Sequence, residues 1–125
     1  MDAIETIVDL PIEEADRRIR VALGEQGFGV LTEIDVAATL KARIDVDRPP
    51  LVILGACNPH LAHRALEIDP TVSLMLPCNV VLAQTDDGRT RISAVDPRAL
   101  MDDPAFSDLA EEAAAKLGAA VSSVA

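Results

Sequence analysis

The sequence predicts an α+β fold: one two-layer domain over residues 1–125, with a mixed or mostly antiparallel sheet and helices packed on one face. Three observations lead to this fold class. Strand-like segments are interleaved with segments of helical periodicity, as expected when helices cover a sheet. One short turn signal, Asp86 to Gly88, joins two strand-like segments as a hairpin. The chain of 125 residues has the size of one domain and contains no linker, repeat or low-complexity tract.

The first predicted elements are a strand and an amphipathic helix. Ala3 to Val8 alternates between two sets of side chains, as a strand does. Pro11 suits the first turn of the following helix, and Gly24 and Gly27 end it. A helical projection places five apolar side chains on one face, so this helix is expected to cover the sheet: Ile12, Ala15, Ile19, Ala22 and Leu23.

The middle of the chain predicts two further strands separated by a short helix. Phe28 to Ile34 is the second strand, and Asp35 is a candidate N-cap for a helix over Val36 to Ile44. Leu51 to Leu54 is an uninterrupted apolar run, which fits a central strand buried on both faces. Gly55 is expected to end that strand.

The last predicted elements are a hairpin and a long helix. Asn79 to Gln84 and Thr90 to Val95 are its two strands. Asp103 and Pro104 supply an N-cap and a first-turn proline for the C-terminal helix. Its apolar stripe consists of Phe106, Leu109, Ala113, Leu117, Ala120, Val121 and Val124.

Charge and composition argue against several classes of function. A formal net charge of −10 repels polyphosphate, and without Tyr or Trp the chain has no stacking platform for single strands. We therefore expect no nucleic-acid binding. Asp2 and Glu5 stand where a secretory signal carries positive charge, and the longest apolar run is too short to span a bilayer. We expect no membrane association and a cytoplasmic location.

The segment GACNPHLAHRAL, residues 55–66, concentrates the unusual side chains of this chain. Asn58 is a candidate N-cap, with Pro59 at the first helical position. Cys57 then precedes a helix N-terminus, where the helix dipole and free backbone N–H groups favour a thiolate. The alternative is a structural cysteine, because free cysteines often fill small gaps in a core.

Two histidines in the same segment raise the question of a metal site. Cys57, His60, His63 and Cys78 are ligand types that zinc uses. Their spacing matches no standard zinc motif, and a helical projection places both histidines on the solvent side. The four residues are therefore a weak metal-site candidate. The opposite, buried side is expected to hold Leu61, Ala62, Ala65, Leu66 and Ile68.

Cys78 repeats the Cys-Asn pair formed by Cys57 and Asn58. If the strands Leu51 to Leu54 and Asn79 to Gln84 pair antiparallel, the two thiols meet. Such a pair binds a soft metal, cycles through a disulfide or holds a small thiophilic ligand. The alternative is two unrelated buried cysteines.

Four segments together resemble a known family. They are GFGVLTEIDV (27–36), VILGACNPHLAHRALE (52–67), LMLPCNVV (74–81) and SAVDP (93–97), and they resemble the bacterial and archaeal family called domain of unknown function 302. The resemblance brings no established reaction. It implies a curved, mostly antiparallel sheet, similar to the TATA-binding-protein-like or Bet v 1-like arrangement, and a homodimer. The family's motif cysteines match Cys57 and Cys78, whereas His60 and His63 stand where the family often has other residues.

The chain carries no recognised catalytic motif, since a phosphate loop, nucleophile elbow, HExxH and CxxC are all missing. We expect a non-enzymatic or weakly catalytic binding module in a homodimer. In it, Cys57, Asn58 and Cys78 form a pocket for a small thiophilic ligand, a metal ion or a redox partner. One alternative is a structural or protein-interaction homodimer without ligand chemistry. Another is a sulfur or persulfide relay through Cys57.

Overall fold

The computed structural model describes residues 1–125 and has an α+β fold, which confirms the predicted fold class. Two 3₁₀ helices, Pro70–Met75 and Pro104–Phe106, supplement the main elements. None of the helices combines the length and the apolar character that crossing a membrane requires. The strands and α-helices are β1 (Ala3–Val8), α1 (Ile12–Glu25), β2 (Gly29–Asp35), α2 (Val36–Ile44), β3 (Leu51–Cys57), α3 (Pro59–Ile68), β4 (Cys78–Gln84), β5 (Thr90–Val95), α4 (Pro97–Leu100) and α5 (Ser107–Val124).

The five strands form one sheet in the order β1-β5-β4-β3-β2, and every neighbouring pair is antiparallel. Of the two arrangements that the sequence left open, the antiparallel one is therefore correct. The predicted hairpin joins β4 to β5, and Gly88 in its turn has φ +82°. Glycine adopts this left-handed conformation without steric cost.

The hydrophobic core lies on one face of this sheet. Helices α1 and α5 pack there, and the apolar stripes predicted for them are buried, except that Ile12 is half-buried. Alternate side chains of β1, β3, β4 and β5 point into this core, because successive residues of a strand face opposite sides of the sheet. The buried strand residues of the core are Val8, Leu54, Ala56, Val80, Leu82, Ile92 and Ala94.

Strand β3 differs from the prediction in both length and burial. It runs through Gly55 to Cys57, so the expectation that Gly55 ends the strand is wrong. Leu51 and Ile53 are half-buried rather than buried, because the core covers one face only and their side chains point to the other.

Helix α3 buries a narrower face than the sequence predicts. Leu61 and Ala65 are buried, but Leu66 and Ile68 are 38% and 44% exposed, so the prediction that these two are buried is wrong. The 3₁₀ helix Pro70–Met75 follows α3 and packs Val72 beside Ala65. The side of α3 that carries Leu66 and Ile68 stays exposed to solvent. The sequence analysis also missed this 3₁₀ helix and α4.

Gly55 occupies a point where β3 passes very close to its neighbours. A Cβ built there would collide with Oγ1 of Thr32 and lie 2.9 Å from Cγ of Pro77. We therefore expect Gly55→Ala to lower the free energy of unfolding, measured by urea denaturation, by about 1–3 kcal/mol, the usual cost of overpacking. Gly29→Ala is the matched control, since a Cβ at this strand glycine meets no heavy atom within 4 Å. Equal losses in the two variants would contradict the steric explanation.

Candidate functional site

Asn58 connects the start of α3 to the end of α1. Its Oδ1 accepts a hydrogen bond from the backbone N–H of Leu61 at 3.3 Å, which confirms the predicted N-cap. Its Nδ2 donates to the backbone carbonyl of Gln26 at 3.2 Å. The residue is only 7% exposed, so both ends of its amide are satisfied by other parts of the protein.

The two cysteines lie on neighbouring strands at one end of the sheet. Strands β3 and β4 pair antiparallel, as the two-thiol hypothesis requires, and the register places Ala56 opposite Cys78. Cys57 is the next residue along β3 and directly precedes the N-cap of α3. Both cysteines are free and half-buried. They are therefore one residue out of register, an offset that normally directs two side chains to opposite faces of a sheet.

Both cysteines line one small apolar cavity. Its volume is about 30 Å³, and eleven of its twelve lining residues are hydrophobic. The end of the sheet forms one wall of the cavity. Leu61 of α3 and Leu109 of α5 belong to the other walls. Asn58 is the one polar lining residue, and its amide is already hydrogen-bonded. A cavity of this size holds about two water-sized atoms, which suits an ion or a very small molecule.

The environment of Cys78 favours its neutral form. Burial raises the pKa of this thiol above its ordinary value, and charge on Cys57 raises it further. The protonated thiol of Cys78 therefore predominates at neutral pH.

The structure does not bring the two histidines to the cysteines. His60 and His63 lie on the solvent side of α3, as the helical projection predicts, and neither lines the cavity. Nε2 of His63 lies 3.9 Å from Oε1 of Glu67, with both side chains more than 70% exposed. No group of three or more His, Cys, Asp or Glu side chains is arranged to hold a metal ion. The set of four predicted ligands is therefore not assembled.

The cavity contains a sulfur atom that the sequence analysis did not consider. Met101 follows α4 directly and lies in the cavity wall. No local sequence pattern marks Met101 as a cavity residue, because the β4–β5 hairpin separates it from Cys78 along the chain. The packing of α4 against α5 brings Met101 to the cavity. Cys57, Cys78 and Met101 are therefore all lining residues of the cavity.

Comparison with known proteins agrees with the resemblance that the motifs indicate. The model of the family described as Domain of unknown function DUF302 matches residues 4–124. This chain belongs to the DUF302 family. The crystal structure of an uncharacterized conserved DUF302 protein from Bacillus stearothermophilus is similar to it, with a TM-score of 0.92 and 30% sequence identity over 100% of this chain and 99% of that chain. No curated protein matches the chain.

Replacing Asn58 tests its structural role in this DUF302 protein. We expect Asn58→Ala to lower the free energy of unfolding by about 1–2 kcal/mol, because the variant loses the cap of α3 and leaves the carbonyl of Gln26 without its partner. Thermal or urea denaturation measures the change. Asn79→Ala on β4 is the matched control, since Asn79 is exposed. A loss of the same size at Asn79 would contradict the assignment.

The raised pKa of Cys78 gives a pH dependence of stability. The folded protein holds the thiol proton to higher pH than the unfolded chain does. The resulting stabilisation is fully present below the unfolded thiol pKa of about 8.5 and is lost as pH rises through the folded value. We expect the free energy of unfolding to fall less steeply over this alkaline range in Cys78→Ala than in the wild type, as measured by urea denaturation at several pH values. Parallel profiles would contradict the assignment.

Proposed function

We propose that this DUF302 protein is a binding module in which Cys57 and Cys78 hold a small thiophilic ligand, a metal ion or a redox partner. The observation that supports the proposal is the shared cavity, because two free cysteines from different strands are among the residues that line one apolar space. Two thiols in one site retain a soft ligand better than a single thiol does, since the second contact forms within the same molecule.

The two cysteines have different roles in this proposal. Cys57 is the more reactive thiol in this proposal, because it directly precedes the N-terminus of α3, the positive end of the helix dipole. Cys78 is the second ligand or the resolving thiol. Asn58 orients the helix entry through its cap. A reducing compartment keeps both thiols free, and we propose a cytoplasmic location on that ground.

The size and lining of the cavity limit the ligand. A volume of about 30 Å³ accommodates an ion or a few heavy atoms. The apolar walls offer no hydrogen-bond donors beyond the occupied Asn58 amide, so recognition falls to the sulfur atoms. Net charge is costly in such surroundings. The bound species is therefore small, soft and close to neutral once coordinated.

A second candidate function is a structural or protein-interaction homodimer. The observation that favours it is the sheet face opposite the core, where the register lines up Ile34, Ile53 and Val81 across three strands. Ile34 is 49% exposed. Ile53 and Val81 beside it are half-buried. A partly exposed apolar patch of this kind is typical of interaction surfaces, and a two-fold dimer uses the same patch on both subunits. In this alternative both cysteines only pack.

A competition experiment with mercury distinguishes the two candidates. Native mass spectrometry of the reduced protein with one equivalent of Hg²⁺ and excess monothiol is expected to show one retained ion in the wild type. Cys57→Ser and Cys78→Ser are each expected to retain it about a hundredfold less well, because the intramolecular second contact is lost. Circular dichroism verifies that both variants are folded.

Retention of Hg²⁺ by the double variant Cys57→Ser/Cys78→Ser would contradict the proposed site. The same spectra report the mass of the assembly. A dimer mass in all variants, together with no retained ion in the wild type, would favour the interaction homodimer.

A further inference from the structure

We infer, beyond the proposed function, that the cavity binds a short alkyl group and that this binding requires no contact with either thiol. The volume of about 30 Å³ limits the group to about two or three carbon atoms. Such a group is either a small free molecule or the end of a longer alkyl chain. The apolar lining and the shape of the cavity support this assignment.

The cavity offers almost no polar surface to an occupant. Its one polar lining residue, Asn58, already uses both ends of its amide on the backbone of Leu61 and Gln26. A buried water molecule needs several polar partners, so water is held poorly in such a space. An alkyl group needs no polar partner, and it gains dispersion contacts with walls that otherwise face empty space.

The same lining disfavours charged ligands. No Lys, Arg, Asp or Glu side chain lines the cavity. Moving a charge into apolar surroundings without a partner is costly. An alkyl group leaves neither a charge nor a hydrogen-bonding group unpaired, so it fits these walls without such a cost.

Short side chains on regular elements create the space. Helices α3 and α5 pack against each other, and both present alanines to the cavity: Ala62 and Ala65 from α3, and Ala113 from α5. Ala56 of β3 is a fourth lining alanine. Larger side chains at these positions would reduce the space, since interiors are otherwise closely packed. The cavity therefore has walls whose positions are fixed by helices and a strand.

The half-buried lining residues give a ligand a way in. Ala65 and Leu109 are buried, whereas Leu76 and Met101 are half-buried, and the cavity is partly open to solvent. Leu76 directly precedes Pro77 and β4, and Met101 directly follows α4. Methionine is unbranched and flexible. A change of the Met101 rotamer can therefore admit a ligand while the sheet and α5 stay in place.

Methyl NMR spectroscopy of the reduced wild type, titrated with cyclopropane, tests the inference. One molecule is expected to bind per chain with a dissociation constant in the millimolar range, because so few heavy atoms form only a weak complex. The methyl signals of Leu61, Leu109 and Ala113, which line the cavity, are expected to shift. Those of Val8 and Ile92, which lie in the main core but do not line the cavity, are expected to stay unchanged.

A variant that fills the cavity provides a second measurement. Ala113→Val adds two methyl groups at the cavity wall, and we expect it to weaken cyclopropane binding about tenfold or more. Ala114→Val is the matched control, because Ala114 is also buried on α5 but does not line the cavity. Circular dichroism verifies that both variants are folded, and the wild-type titration decides alone if one of them is not. Equal cyclopropane affinities of the two folded variants would overturn the inference.

Competition with 1-hexanol identifies the source of the alkyl group. Displacement of cyclopropane by 1-hexanol would support the end of a longer chain as the ligand, and cyclopropane binding without displacement would support a small free molecule. No saturable shift, or shifts spread evenly over the whole core, would overturn the inference. Retention of Hg²⁺ that depends on Cys57 and Cys78 would still support the proposed thiophilic site in that case, so the two failures are distinguishable.

Discussion

The antiparallel register between β3 and β4 determines where Cys57 and Cys78 lie in the sheet. The pairs that bury the core, Leu54 with Val80 and Val52 with Leu82, also place Ala56 opposite Cys78. A shift by one residue would turn the apolar side chains of one strand toward solvent, so burial of the core fixes this register strongly. The positions of the two cysteines therefore follow from the strand pairing that buries the core.

The cavity lies where two hydrophobic clusters meet. The main core contributes Leu61 and Ala113 to its lining, and the smaller cluster beneath α3 contributes Ala65 and Leu109. Side chains within one cluster interdigitate at high density, whereas a boundary between clusters leaves space that neither fills. This placement explains how a small apolar space persists between the two clusters.

Much of the fold follows from local signals in the sequence. The bounds of β1 and β5, the caps at Asp35 and Asn58, and the buried stripe of α5 all agree with the structure, because each depends on alternation, on helical periodicity or on a capping residue. The extension of β3 through Gly55 was missed because glycine normally signals a break. At Gly55 the strand continues, and glycine is required because Thr32 and Pro77 leave no space for a Cβ.

Only part of the candidate site could be predicted, because the rest of it depends on tertiary packing that local signals do not show. Cys57 and Cys78 share a repeated Cys-Asn motif, and a simple assumption about strand pairing places them near each other. Met101 has no such signal, since its position depends on how α4 packs against α5. Leu66 and Ile68 show that a local signal can also mislead. Helical periodicity predicts that both are buried, but tertiary packing covers only the neighbouring stripe of α3.

The position of β1 at the sheet edge has a consequence for folding on the ribosome. Its partner is β5, with Ala3 opposite Val95 and Val8 opposite Thr90, so β1 pairs with the strand of this sheet that lies farthest from it along the chain. Contacts of such large sequence separation form only after a long loop closes, which slows folding. β1 therefore has no partner strand until β5 has been synthesised. The edge of β5 stays unpaired until the two strands form their hydrogen bonds.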